Sequence, residues 1–504
     1  MPRLFIFAIG GTGSRVLRSL TMLLAAGVKP VGGREYEIVP VIIDPHKGNE
    51  DLKRTERLLW NYRSITKEAG TGNGFFSTRI ATLDDIVPSG NQARGSFTFG
   101  LQQVSNTRFK EYIDLHQLSA PSRALADILF SGKSVNKHGQ EVDLLDVEMD
   151  IGFVGNPNIG SVVLNQFKDS DEFRVIASNF KQDDRIFIIS SIFGGTGAAG
   201  FPVILKNIRG AMANTGIDGR GFLQDAPIGA LSVMPYFNIE TDEKSPIQRA
   251  DFVAKTKAAL HYYKDNVTGN GSVNAMYYIA DDHIGRPYKN DPGNGGQRND
   301  AHFVELASAL AVIDFLSIPA TELRCDNGRA QDPVYKEFGI RNDAGAVTFA
   351  ELEDGTEHMV ALRLSQLALF RKFVDEALEA AKDKQPWSMD APALDGRFFS
   401  DTFHRTHVKE FLTAFGEWLN EMAGNQRSFA PFNLSGAIPA LVKGRQPDSG
   451  WFKKNVDHVL LNEQLNKTAK GAVHDSAHSK LIGLFFKATE HVLTSRFGLN
   501  APQA

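Results

Sequence analysis

The chain has one cysteine, Cys325, in 504 residues. A disulfide framework and a cysteine-built zinc cluster are excluded, and a reducing, cytoplasmic setting is expected. Cys325 sits in a polar stretch with no cysteine near it, so a nucleophilic role is not expected. Neither charge sign dominates: 55 Lys and Arg face 59 Asp and Glu, a formal net charge of −4. No basic field awaits nucleic acid. Long hydrophobic runs are missing too. Leu20–Val28 is apolar but short, and Arg15 and Arg18 precede it. It suits an amphipathic or buried helix better than a membrane span of ~20 residues. Met1–Gly13 holds too few apolar residues before its glycines to read as a signal peptide. Tyrosine is scarce beside phenylalanine, 10 against 35.

What is present is an ordinary globular balance, 42% apolar and 23% charged. The length allows a large core without staples and about three domains. Glycine is slightly abundant at 46, and its placement is informative. Leu4–Ile9 reads as a buried strand. Gly10-Gly11-Thr12-Gly13-Ser14 follows, then a helix with Val16, Leu17, Leu20, Leu23 and Leu24 on helical spacing. Glu37–Ile43 is a second strand, ending at Asp44-Pro45. Residues 50–140, rich in Ser, Thr, Asn and Arg, read as an insertion of helices and loops. Arg185–Ile189 is a strand that runs into Gly194-Gly195-Thr196-Gly197-Ala198 and another helix. Ile228–Met234 and Ala275–Ile279 are further strands, and Pro292–Gln297 is a glycine-rich loop. His302–Phe315 is apolar all round, as a central buried helix would be. Strands alternating with helices imply an α/β fold with a parallel sheet. Beyond about 350, Glu357–Lys382, Thr402–Met422 and Val456–Thr494 read as helices. The expected division is 1–320 for the α/β part and 321–504 for a mostly helical one.

A glycine loop between a strand and a helix aims backbone N–H groups and the helix dipole at an anion. One such loop is also an ordinary tight turn. Two loops, each after an apolar strand, lie on one edge of a parallel sheet and can converge on one phosphate chain. Neither is a Walker loop, because no Gly-Lys-Ser/Thr follows. Phosphate binding would rest on backbone donors and helix dipoles. The first loop alone resembles a dinucleotide fingerprint, but Val16 stands where the third glycine belongs.

These loops resemble those of the tubulin/FtsZ superfamily. Gly194–Gly200 is similar to the tubulin run Gly-Gly-Gly-Thr-Gly-Ser/Thr-Gly. Gly10–Ser14 resembles the family's first phosphate loop, and Asp44-Pro45 the acidic end of its second strand. Gly155-Asn156-Pro157-Asn158-Ile159-Gly160 resembles the FtsZ run Gly-Ala-Asn-Pro-Glu-Val-Gly. Val233–Glu240, with Pro235, resembles Val-Thr-Lys-Pro-Phe-x-Phe-Glu. The five segments fall in the family's order over residues 1–320. The divergent bacterial tubulin-like proteins, with Gly-Gly-Thr-Gly near the N-terminus, resemble the chain most.

The resemblance implies a Rossmann-type parallel sheet with a long central helix, binding GTP or GDP with Mg2+ at the C-terminal ends of the strands. Gly10, Gly11, Thr12, Gly13 and Ser14 would hold the α- and β-phosphates, and Gly155, Asn156 and Asn158 would lie near the γ-phosphate. Gly194, Gly195, Thr196, Gly197 and Ala198 would wrap the diphosphate, and Glu240 would reach the ribose. Phe303 or His302 would stack on the base. The base-reading acids would be Asp281 and one of Asp300 and Glu305. No protein side chain is expected to bind the metal.

In the family, an acidic loop after the central helix completes hydrolysis on the neighbouring subunit. Here Ser317–Asn327 lacks that run, and Glu322 and Asp326 are catalytic candidates by position alone. Three readings stay open. The first is a GTP-dependent filament or switch. The second is a non-hydrolysing, nucleotide-bound scaffold acting on a protein partner through its C-terminal region. The third is a Rossmann-type oxidoreductase using the first loop only. His474 and His478, spaced i, i+4, and His404 and His407, spaced i, i+3, have ligand spacing. Among thirteen histidines such pairs arise by chance. Phe403, Phe411 and Phe415 share one helix face and are expected in the core. Pairs such as Lys453-Lys454 read as solvated surface.

Overall fold

The computed structural model describes every residue except 31, 33, 47, 73, 88–94, 137–139, 154–155, 214–218, 237–248, 282–297, 341–345, 449–453 and 501–504. Six strands make one parallel sheet: β1 Arg3–Ile9, β2 Glu37–Ile43, β3 Arg185–Ser191, β4 Ile228–Val233, β5 Ala275–Asp281 and β6 Val334–Ile340. Their order is β2-β1-β3-β4-β5-β6. Leu4 pairs with Ile38 on one side and Arg185 on the other, and Ala230 stands between Ile188 and Met276. β1 and β3 are buried along their whole length, as strands covered on both faces must be.

The outer edge of β2 is covered by single parallel bridges, Ile38 to Ile80 and Ile42 to Thr98. The Ala81 and Phe99 amides donate to Ile38 and Ile42 carbonyls at 2.9 and 2.8 Å. The sheet continues past residue 320, since β6 joins its edge beside β5. That strand, Val-Tyr-Lys-Glu-Phe-Gly-Ile, carries a charged pair in its middle and leaves Tyr335 and Phe338 exposed. Such an edge strand shows no continuous apolar run.

Helix α1, Gly10–Ala25, and helix α2, Glu50–Ala69, pack on each other. Helix α3 is Pro157–Leu164, α4 Gly195–Arg209, α5 Arg249–Tyr263 and α6 Phe303–Ser317. α6 is the expected central helix. It packs on α1 to one side and on β4 and β5 to the other, which is why it is apolar all round. The C-terminal region is mostly helical, with α7 Asp354–Glu376, α8 Lys409–Gly424, α9 His458–Ala469 and α10 Ala477–Phe497. The helix expected over Val456–Thr494 is two helices, interrupted where Gly471 turns at φ +77°. His474 therefore lies outside α10 and the helical i, i+4 spacing with His478 is lost.

The C-terminal helices join the same apolar core as the sheet. Phe75 stacks on Phe370 at 5.5 Å, and Trp418 donates its indole N–H to Ser19 Oγ at 3.1 Å. Phe403, Phe411 and Phe415 are fully buried. Among the described residues no helix is long and apolar enough to cross a membrane.

Candidate functional site

The site begins where strands end. β1 passes into α1 through Gly10, whose φ of +71° suits only glycine. β3 passes through Ser191–Gly194 into α4. At the start of α1 and α4 no side chain caps the helix and no acid stands in the first turn. The same holds for α3, which opens with Pro157 after Asn156. By contrast α2 is capped by Asn49, which accepts from the Asp51 amide at 2.8 Å. Three helix N-termini at one sheet edge thus keep backbone donors and positive dipole ends for another acceptor.

Close packing brings the three starts together. A β-carbon on Gly10 would lie 3.5 Å from the Gly197 nitrogen. One on Gly160 would lie 2.7 Å from Ala199 Cβ and 3.1 Å from the Gly195 carbonyl. Gly13 and Gly197 have no room for a β-carbon, which would meet the Ala8 carbonyl carbon at 2.7 Å and the Ser191 carbonyl oxygen at 2.8 Å. These glycines are required by contact between the loops and the strand ends.

Gly11, Thr196 and Ala198 are partly exposed, while Thr12, Gly13, Ser14 and Gly195 are buried. Ser14 Oγ is buried and has no hydrogen-bond partner among the described residues. Asn156 Nδ2 donates to Ser134 Oγ at 3.2 Å, and Asn158 is exposed at the start of α3. Pro235 is half-buried at the end of β4. Asp44 is buried after β2, and its Oδ1 accepts from the His46 amide at 2.9 Å. Burial raises it from 3.8 to about 6, against the His46 hydrogen bond and the Arg15 charge. Gly155, Glu240 and Pro292–Gln297 lie outside the described residues.

Behind the first loop lies an ionic cluster that the sequence reading missed. Arg15 is buried and donates from Nε to Glu305 at 2.7 Å and from a terminal nitrogen to Tyr236 Oη at 2.7 Å. It also approaches Asp51 at 3.5 Å. Tyr236 donates to the same Glu305 oxygen at 2.7 Å. The other Glu305 oxygen accepts from the His302 amide at 3.2 Å. Burial opposes the Arg15 charge, but Tyr236, Glu305 and Asp51 outweigh it and hold it well above its ordinary range. The cluster ties the start of α1 to the start of α6. Its sequence signal was weak, Arg15 and Arg18 set among the apolar residues of α1.

The cluster also sorts the three acids expected to read the base. Glu305 is engaged by Arg15, Tyr236 and its own helix start. Asp281 is held by Arg427 of the C-terminal region, with two bonds of 3.0 and 2.9 Å. Asp300 has an exposed carboxylate with no hydrogen bond among the described residues. Partial burial and then Glu421 raise its proton affinity. Phe303 is buried, stacked on Phe429 at 5.2 Å, so its ring serves the core. His302 Nδ1 accepts from the Val304 amide at 3.0 Å, and its ring meets the Tyr236 ring edge-on.

Glu322 and Asp326 lie at the opposite edge of the sheet. The carbonyls of Leu323 and Arg324 between them accept from Asn274 at 3.0 and 3.1 Å, just before β5 begins. Both candidates are exposed and far from their own chain's glycine loops by a strand's length. Burial raises the nearby Cys325 thiol. Among the described residues no cluster of three or more His, Cys, Asp or Glu could hold a metal.

No protein-family model matches the chain, and no curated protein does. Among solved structures it is similar to CetZ2 from Haloferax volcanii in a GTPγS-bound protofilament. The identity is 12% and the TM-score 0.28, over 64% of this chain and 59% of that one. It is also similar to CetZ from Methanosaeta thermophila strain DSM 6194, at 12% identity and TM-score 0.23, over 63% and 52%. The chain thus spans little more than half the length of either. The functional reading rests on this chain's own loops and helices.

Proposed function

We propose that this chain is a tubulin/FtsZ-like protein that binds GTP or GDP at the C-terminal edge of its sheet and assembles head to tail, with hydrolysis completed between subunits. The observation that carries this is the close approach of Gly10 to Gly197, with room for no more than a methyl between them, beneath three helix starts that no side chain caps. That arrangement fits a polyphosphate: backbone donors at three helix starts lie close together, and no acid stands in the first turns. The Ser14 hydroxyl, unpartnered among the described residues, is a further donor.

In this reading Gly10–Ser14 and Gly194–Ala198 hold the phosphates, and Asn156 and Asn158 stand near the terminal one. Mg2+ would be carried by the phosphates and their water. Asp300 is the acid left to accept from guanine N1–H and N2–H2. Glu322 and Asp326 sit at the pole that a stacked neighbour would present to the nucleotide, as a heterologous contact requires. Calorimetry with GTP and ATP tests the binding step. Micromolar or tighter GTP binding is expected, and no binding of a guanine nucleotide contradicts the reading.

A switch without hydrolysis is the second reading, favoured by how the C-terminal region grips the site. Glu421 of α8 accepts from Arg18 at 3.0 Å and from the Ala301 amide at 3.1 Å, and it pairs with Arg54. Asn425 donates to the Ala301 carbonyl at 3.1 Å, and Arg427 holds Asp281. Movement of the 299–302 segment with the nucleotide would reach α8 directly. GTP turnover that rises steeply with protein concentration decides for the assembling enzyme and against the switch.

A further inference from the structure

A groove of about 780 Å³ runs along the outer side of α4, walled by α3 and α5. Its lining extends from Gly194 at the start of α4 to Asn207 near its end, a helical rise of ~20 Å. The lining holds two lysines, Lys206 and Lys255, and no acid among the described residues. Its rims carry apolar side chains that water covers: Val162 is 40% exposed and Tyr262 50%. Along α4 the lining includes the small residues Ala198 and Ala199. Lys206 is exposed, and its side chain makes no ion pair or hydrogen bond among the described residues.

We propose that this groove docks an extended, acidic segment of a partner protein. A trough ~20 Å long takes about six residues of extended chain at ~3.3 Å each, whereas a small metabolite would fill only part of it. Small residues along α4 let a backbone lie close. Val162, Val203 and Tyr262 offer apolar contact to alternate side chains, and the exposed Lys206 selects a carboxylate among them. One end of the groove is Asn158 and Gly194, which belong to the candidate phosphate loops. Partner docking and nucleotide therefore share walls, while the groove itself stands without any assumption about the nucleotide.

The test uses the full chain and two fluorescein-labelled octapeptides, one alternating Glu with Leu and one alternating Lys with Leu. Fluorescence anisotropy is expected to show saturable binding of the acidic peptide, at least tenfold tighter than the basic one. Lys206→Glu, on an exposed position, is expected to weaken acidic-peptide binding at least tenfold with the circular dichroism spectrum unchanged. Val162→Glu should do the same. Equal affinity for both peptides, no binding of either, or full binding by Lys206→Glu overturns the proposal. Loss of self-association in Lys206→Glu without peptide binding overturns it in favour of a second copy of the chain. GTP affinity measured on the same variant reports separately on the nucleotide reading.

Discussion

Gly10 and Gly197 face each other across a narrow gap: a β-carbon added to the first would stand 3.5 Å from the amide nitrogen of the second. One follows β1 and the other follows β3, adjacent parallel strands whose ends coincide. Two loops 187 positions apart are thereby one concave surface. A single loop of this kind is an ordinary turn; the nucleotide proposal rests on the two lying side by side.

Gly197→Ala is expected to damage that surface. The new methyl would meet Ser191 backbone atoms at 2.8 and 2.9 Å, so strand end or helix start must shift, at about 1–3 kcal/mol. Nucleotide affinity should fall more than tenfold. Gly355→Ala, in α7 with nothing within 4 Å of the new methyl, is the matched control. Urea unfolding and calorimetry read both. Equal effects of the two substitutions would count against the loop contact.

Asp300→Asn and Asp281→Asn should separate selectivity from stability. Asp300 has no hydrogen bond among the described residues to lose, so its amide is expected to reduce the preference for GTP over ATP at unchanged stability. Asp281→Asn leaves the buried Arg427 guanidinium undercompensated and should cost about 3 kcal/mol. Competition binding and chemical denaturation check the pair. A selective loss at Asp281 with none at Asp300 would reverse the assignment.

Glu305→Gln tests the buried cluster. Arg15 would keep Tyr236 and Asp51 but lose its shortest ionic partner, at 2.7 Å. The expected cost is about 3 kcal/mol in unfolding free energy, with nucleotide binding weakened because α1 and α6 lose their tie. A variant as stable as the parent would show the cluster to be incidental.

Asp44 gives a pH dependence. The unfolded chain ionises near 3.8 and the folded one at about 6. Between those values the folded state holds more protons, so stability falls as pH rises through the window and the full penalty stands above it. Asp44→Asn keeps the acceptor for His46 and should stabilise the chain at about pH 7.5 by up to ~3 kcal/mol. The gain should shrink by roughly two thirds near pH 4.5. A gain independent of pH, or a loss at neutral pH, would contradict the burial account.

Much of the fold was legible because β1, β2, β3, β4 and β5 are buried on both faces and read as apolar runs, and α6 is apolar all round. Glu37–Ile43 is placed to the residue. β6 was not legible, since its Lys336 and Glu337 interrupt the apolar run and its Tyr335 and Phe338 face solvent. The two glycine loops were legible from glycine at strand ends. The partners of Asp281 and Glu305 were not: both read as available acids, and only three-dimensional packing shows Arg427 and Arg15 bonded to them. Those partners lie 146 and 290 positions away, beyond the reach of any local pattern. Phe303 looked like a stacking ring for the same reason, because Phe429 is distant in the chain.

The most direct measurement is titration calorimetry of the purified chain, stripped of nucleotide, with GTP, ATP and NADH, repeated on Gly195→Asp. The account predicts GTP binding at micromolar or tighter affinity, ATP at least tenfold weaker, no NADH binding, and loss of GTP binding in the variant. An acid at that helix start would repel phosphate where the dipole now attracts it. Absence of GTP binding to the parent chain, or GTP binding undiminished in Gly195→Asp, would contradict it.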